Sequence, residues 1–221
     1  MTRMRLIIFD LDGTLIDSQA MIVACTRAGF AAEGLEPPSA AAVRRIIGLS
    51  LVKAMEVLLG RSDPVLAARI AEGYRAAFLT RRNDPALHEP LFPGSRAMLE
   101  DLFRRRLLLG VATGKSMRGV HSMLTMHDLG GFFATLQAAD GHPSKPHPSM
   151  LIEAMAEVGA APEETVMIGD TNYDILMAKA AGVRPIGVAW GNHSRADLLE
   201  AGAVAILTDW RELPAALDLP V

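Results

Sequence analysis

The sequence of 221 residues contains one cysteine, Cys25. A single thiol cannot close an internal disulfide, and a zinc site built on cysteine is excluded with it. The chain therefore suits a reducing compartment. An excess of positive charge is also missing. Lys and Arg total 22 against 25 Asp and Glu, a formal charge of −3, so the basic footprint of a dedicated nucleic-acid binder is absent. No apolar run approaches the ~18 residues that span a bilayer. Arg3 and Arg5 precede the apolar Leu6, Ile7 and Ile8, but Asp10 and Asp12 interrupt that run too early for a signal peptide. The expectation is a cytoplasmic protein with neither membrane nor nucleic-acid partner, a monomer or a small homo-oligomer. Disorder is excluded by what the chain does contain, since half of its residues are hydrophobic and 21% are charged. A chain of this length buries about 70% of its extended surface, enough for one core and a small satellite.

Short apolar runs rich in β-branched residues recur at Arg5–Asp10, Leu107–Thr113, Thr165–Gly169, Pro185–Val188 and Ala203–Leu207. Their length and their Gly and Asp punctuation predict buried strands. Between them, Ser95–Arg105, Ser116–Met126 and Pro148–Val158 carry apolar residues at helical spacing. Strands alternating with helices from about residue 93 onward predict a parallel α/β sheet covered on both faces. The stretch Ser18–Leu91 has no convincing strand. It predicts about four helices, with Leu51, Met55, Leu58 and Leu59 on one helical face, inserted between the first strand and the second.

The chemistry concentrates at predicted strand ends. Asp10-Leu11-Asp12-Gly13-Thr14-Leu15 places two carboxylates two residues apart where a buried strand stops. Ligands bind at that end of an open α/β sheet, and a buried Asp needs a partner. Gly169-Asp170-Thr171-Asn172-Tyr173-Asp174 follows a second apolar run in the same way. If the two strands are neighbours, their carboxylates converge and call for a cation, with oxygen ligands suiting Mg²⁺. Thr113-Gly114-Lys115 ends a third run at a predicted helix N-terminus, an arrangement that binds anions. Lys145 lies in a loop stiffened by Pro146 and Pro148. A cation, a lysine and a helix N-terminus around a carboxylate make a phosphoryl-transfer site.

DLDGTL at Asp10–Leu15, Thr113, Lys145 in KPHP, and GDTNYD up to Asp174 stand in the order of the four motifs of the haloacid dehalogenase (HAD) superfamily. The sequence resembles a subclass I phosphatase of that superfamily, similar to the phosphoglycolate phosphatase branch, over essentially its whole length. The resemblance implies a Rossmann-like parallel-sheet core from residues 1–17 and 92–221, with residues 18–91 as an inserted helical-bundle cap domain. It implies a Mg²⁺-dependent phosphatase acting on a small phosphorylated metabolite, phosphoglycolate-like or a sugar phosphate, through an aspartyl-phosphate. Asp10 would be the nucleophile, and Asp12 the acid and then the base. Thr113, Gly114 and Lys145 would hold the phosphoryl group. The metal would sit with Asp10, Asp12 through its main-chain carbonyl, and Asp170, while Asp174 would act through water or by orienting Lys145. Ser149, where many relatives carry Asp, would cap the following helix. The presence of Asp12 disfavours dehalogenase and phosphonatase activities.

Other readings share some of these features. A sugar phosphomutase of the β-phosphoglucomutase type has the same catalytic residues, a pyrophosphatase cleaves an anhydride instead, and a non-enzymatic receiver-like module also uses Asp and Mg²⁺ but is much shorter. Substrate recognition falls to the insert, where Arg44 and Arg45 precede Gly48. An arginine there would clamp a second anionic group, against the plainer reading of a solvated helix face. The histidines, His142, His147 and His193 among them, read as solvated. Met123 and Met126 read as core fillers, and Trp190 and Trp210 as packing residues near strand ends.

Overall fold

The computed structural model describes residues 4–219. Arg3 and the outer limits of the two expected core segments lie outside the described residues. Six parallel strands form one sheet in the order β3-β2-β1-β4-β5-β6. They are β1 (Leu6–Phe9), β2 (Leu108–Thr113), β3 (Phe133–Ala138), β4 (Thr165–Gly169), β5 (Arg184–Val188) and β6 (Ala205–Leu207). The first strand is central, paired with β2 through Phe9 opposite Val111 and with β4 through Phe9 opposite Ile168.

Burial on both faces explains why β1 is apolar without interruption. Ile7 and Phe9 face one half of the core, Leu6 and Ile8 the other. The first half is filled from α5 (Ser95–Arg104) by Met98, Leu99 and Leu102, and from α6 (Met117–Met126) by Val120, Met123 and Leu124. The second is filled from α7 (Ser149–Val158) by Met150, Leu151 and Ala154, and from α8 (Asn172–Ala180) by Met177 and Ala178. Two further helices, α9 (Arg195–Ala201) and α10 (Leu213–Ala216), flank the β5–β6 edge. The aromatic pair Trp190 and Trp210 closes the first half edge to face, with ring centroids 4.8 Å apart.

Four helices stand between β1 and α5. They are α1 (Gln19–Ala32), α2 (Ala40–Arg44), α3 (Leu51–Leu59) and α4 (Pro64–Arg81). They share their own core of Ile22, Phe30, Val43, Met55 and Ile70. Gly29 and Gly73 bring α1 and α4 close, since a Cβ on Gly29 would lie 2.6 Å from the Ile70 carbonyl oxygen. No helix among the described residues is long and apolar enough to cross a membrane.

The periodicity overlooks β3. Phe133–Ala138 carries the polar Thr135 and Gln137 inside the fold. The Gln137 amide donates to Thr135 Oγ1 at 2.9 Å, and its carbonyl oxygen contacts His142 Nε2 at 2.8 Å. An edge strand with satisfied polar side chains lacks the apolar signature of its neighbours. Ser149 does not cap α7 as expected, because Pro148 occupies the N-cap position and Ser149 Oγ contacts His142 Nδ1 at 2.8 Å instead. His142 is accordingly half-buried and bonded at both ring nitrogens rather than solvated.

Leu99 is fully buried between α5 and the sheet. Leu99→Ala should lower the unfolding free energy by about 2–5 kcal/mol in urea titration. A loss below about 1 kcal/mol would contradict this packing.

Candidate active site

The carboxyl ends of β1, β2 and β4 meet at one place, and a cavity of about 720 Å³ opens above them beneath the helical insert. Asp10 continues β1, its N–H donating to the Ile168 carbonyl at 3.0 Å. Asp170 follows β4, and Asp174 stands in the first turn of α8. Asp10, Asp170 and Asp174 are fully buried, and each offers an oxygen within 4.8 Å of the others.

One ammonium answers them. Lys145 Nζ lies 3.1 Å from Asp10 Oδ1 and 2.6 Å from Asp174 Oδ1, with all three side chains out of solvent. Asp174 Oδ2 accepts from the Thr171 N–H and hydroxyl, closing a capping box at the start of α8. Both Asp174 oxygens are thus committed, one to Lys145 and one to the helix. Asp170 Oδ1 accepts from Thr14 Oγ1 at 3.1 Å, and its Oδ2 accepts from the Asn192 N–H and Nδ2 at 2.8 Å each. Asp10 Oδ1 accepts from the Leu11 N–H at 2.8 Å, whereas its Oδ2 is buried without a hydrogen-bond partner among the described residues.

Gly13 makes this proximity achievable. Its φ is +89°, and a Cβ there would fall 2.2 Å from Asp170 Oδ2. Burial pushes the Asp10 carboxyl up to about 8, against the pull of Lys145 and with further push from Asp174, Asp170 and Asp12. Burial, then Asp174, pushes Asp170 up to about 7, against the hydrogen bonds from Asn192 and Thr14. Lys145 is raised despite its burial, because Asp10 and Asp174 hold its proton. Three crowded carboxylates, one orphaned oxygen and a single lysine are a donor set that fits a hard divalent cation.

Asp12 faces the cavity and is nearly buried. Lys115, which the sequence reading names within the Thr113-Gly114-Lys115 strand end without giving it a role of its own, meets Asp12 Oδ1 at 3.1 Å. Its signal was its place immediately after Thr113-Gly114 at a strand end. Thr113 and Gly114 line the same cavity, and Ser116 caps α6, accepting from the Gly119 N–H at 3.3 Å.

The segment after α2 closes over this floor. A Cβ on Gly114 would fall 2.5 Å from the carbonyl oxygens of Gly48 and Leu49. The Ser50 N–H donates to Ser144 Oγ at 2.9 Å, and Tyr173 Oη donates to the Arg45 carbonyl at 3.0 Å. His193 is buried rather than solvated, with Nε2 3.3 Å from the same carbonyl and Nδ1 accepting from the Asn172 N–H at 3.2 Å. Gly48 therefore lines the cavity, but Arg44 and Arg45 do not. Val43, Ile46 and Ile47 take the inward positions of this segment. Arg44 turns to a shallow depression beside Asp17, Gln19 and Arg27, and Arg45 is exposed. Met123 and Met126 both line the cavity, the former also serving the core and the latter about half exposed.

The haloacid dehalogenase-like hydrolase family profile matches residues 7–188. The chain belongs to this family. It is 36% identical over 208 residues to the protein named Probable phosphatase IndB of Dickeya dadantii, covering 92% of this chain and 89% of the relative. It is 32% identical over 219 residues to a phosphoglycolate phosphatase of Pseudomonas putida, covering 97% and 80%. The crystal structure of a predicted phosphatase from Clostridium acetobutylicum superposes with a TM-score of 0.88 at 25% identity, covering 99% of this chain and all of that one. These likenesses place the chain among the phosphatases of the family.

The raised carboxyls set a pH dependence. In the metal-free protein, Asp10 and Asp170 bind protons when folded that the unfolded chain has released above its pKa of 3.8. Folding is favoured most below that value, and the contribution is lost as pH rises through about 7 to about 8. A cation that replaces those protons should stabilise more at higher pH. The Tm increase produced by saturating Mg²⁺ should therefore grow between pH 5.5 and 8.5 in calorimetry. An increase that is flat or shrinks with pH would contradict the site's charge balance.

Proposed function

We propose that the chain is a Mg²⁺-dependent phosphatase that hydrolyses a small phosphorylated metabolite through an aspartyl-phosphate on Asp10. The observation that supports this most is Asp10 itself, a buried carboxylate with one free oxygen at the floor of the cavity, beside Asp12. Bound Mg²⁺, held by Asp10, Asp170 and the Asp12 main-chain carbonyl, would neutralise phosphoryl charge. Lys145 favours the ionised form of Asp10 against its burial and fixes its direction, and Asp174 holds Lys145 in place. Asp174 accordingly serves as a positioning residue more readily than as a direct ligand.

In the first half-reaction an Asp10 oxygen forms a bond to phosphorus as the bond to the ester oxygen breaks. Asp12 delivers its proton to that leaving oxygen. In the second, Asp12 as carboxylate takes a proton from water, whose oxygen attacks phosphorus and releases phosphate and the free Asp10 carboxylate. The Lys115 ammonium, 3.1 Å from Asp12 Oδ1, holds the Asp12 side chain in place for this step. Thr113 and the amides opening α6 hold the phosphoryl oxygens. Residues 18–91 act as the cap that excludes water and reads the remainder of the substrate, and the α/β residues on either side form the catalytic core.

Asp10→Asn should lower kcat by about 10³-fold or more, because an amide is a poor nucleophile. Asp12→Asn should lower it by about 10²–10⁴-fold. Continuous phosphate release from p-nitrophenyl phosphate checks both, and normal turnover by either variant would refute that residue's role. Stoichiometric release of phosphate from natural substrates separates hydrolysis from a mutase, which returns the group to a sugar.

A further inference from the structure

Beyond the phosphoryl floor, the cavity is walled by Ile46, Leu49, Met55, Phe78 and Met123. Its volume of about 720 Å³ lies within the roughly 300–1,000 Å³ typical of sites for drug-sized organic ligands. A two-carbon acid would leave most of it unfilled. Lys115, Arg75, Arg82, Arg118 and Asp140 also line the cavity, and among the charged groups beyond the floor only Glu89 is buried. Glu89, in the segment returning from the insert to α5, is 4% exposed, and its Oε1 is buried without a hydrogen-bond partner among the described residues. Thr26 Oγ1, also on the cavity wall, is buried and unpartnered too.

The cations nearby do not satisfy Glu89. Lys115, half-buried on this wall, is paired with Asp12, and neither Arg82 nor Arg118 forms an ion pair with Glu89 among the described residues. Arg75 pairs with Glu72 on the exposed side of α4. A buried acceptor left without a donor is costly, and a ligand that supplies the donor recovers that cost. A second carboxylate placed there would meet Glu89 and Asp12 as like charges.

Resting on the phosphatase reading above, we propose that Glu89 is a specificity-determining residue. It selects phosphomonoesters whose alcohol portion is bulky, mainly apolar and equipped with an O–H or N–H donor, and it rejects small carboxylate-bearing esters such as phosphoglycolate. Thr26 offers a second polar contact on the same wall. The phosphoryl end is held by the floor, so the preference resides in the leaving group.

The test uses the full chain with Mg²⁺ and benzyl phosphates substituted at the 3- or 4-position, whose ring substituents are insulated from the reacting oxygen. The substituents are hydroxymethyl, aminomethyl, methyl and carboxylate, with 2-phosphoglycolate alongside. The wild type should favour a donor-bearing probe over its carboxylate counterpart, and over 2-phosphoglycolate, by at least about tenfold in kcat/KM. The hydroxymethyl and aminomethyl arms distinguish a neutral donor from a cationic one. Glu89→Gln should retain the hydroxymethyl preference, weaken the aminomethyl preference and raise the carboxylate probe relative to methyl. Glu89→Leu should abolish both donor preferences.

A wild type that hydrolyses the methyl probe but prefers carboxylates, or shows no preference, overturns this proposal and leaves the phosphatase reading standing. Equal losses on every probe in both variants also overturn it, because Glu89 would then be structural. Absence of phosphate release from every compound overturns the phosphatase reading, and this proposal with it. The wild-type ranking is decisive even where a variant fails to fold.

Discussion

The rest of the structure depends on a charge imbalance. Asp10, Asp12, Asp170 and Asp174 face two lysines, Lys145 and Lys115, and all six side chains are shielded from solvent. Burying ions without compensation is costly, and here the carboxylates outnumber the ammonium groups by two. A divalent cation matches that deficit. Raised Asp10 and Asp170 carboxyls are the metal-free expression of the same imbalance, with protons standing in for the missing positive charge.

Holding like charges together falls to the sheet and its hydrogen bonds. Because β1 lies between β2 and β4, the floor is assembled from three adjacent strand ends. Gly13 lets the chain leave β1 against Asp170, and Asn192, Thr14 and Thr171 supply donors that no single motif contains. The Asp174 carboxylate joins two roles, helix capping and active-site positioning. One oxygen performs each.

Legibility in the sequence followed the range of the interaction. The strands ending at Phe9, Thr113 and Gly169 were readable because burial on both faces makes them continuously apolar, and the polar residues Asp10, Thr113 and Asp170 at their ends then stand out. The β3 edge strand was not, because Thr135 and Gln137 are buried through partners elsewhere in the chain. Arg44 and Arg45 were visible as residues, but their direction depends on how Val43, Ile46 and Ile47 pack. Glu89 and Lys115 are unremarkable in sequence. They acquire meaning only when the return from the helical insert and the end of β2 meet at Asp12 and the cavity.

The two halves of the site are held by interactions of different strength. The floor is tied by buried, charge-assisted contacts such as those of Lys145 with Asp10 and Asp174, the class that is strongest per bond. Across the seam, the segment after α2 is tied to the core by Ser50 to Ser144, Tyr173 to Arg45 and His193 to Arg45. Such neutral hydrogen bonds contribute about 1 kcal/mol each. Separating the insert from the core at this seam therefore disturbs the carboxylates least. The floor is thus fixed by charged contacts, and the insert meets it through neutral ones. Close packing operates in both places: a Cβ on Gly13 would stand 2.2 Å from Asp170 Oδ2 within the floor, and one on Gly114 would stand 2.5 Å from the Gly48 and Leu49 carbonyl oxygens across the seam, so neither position admits a side chain without displacing its neighbours.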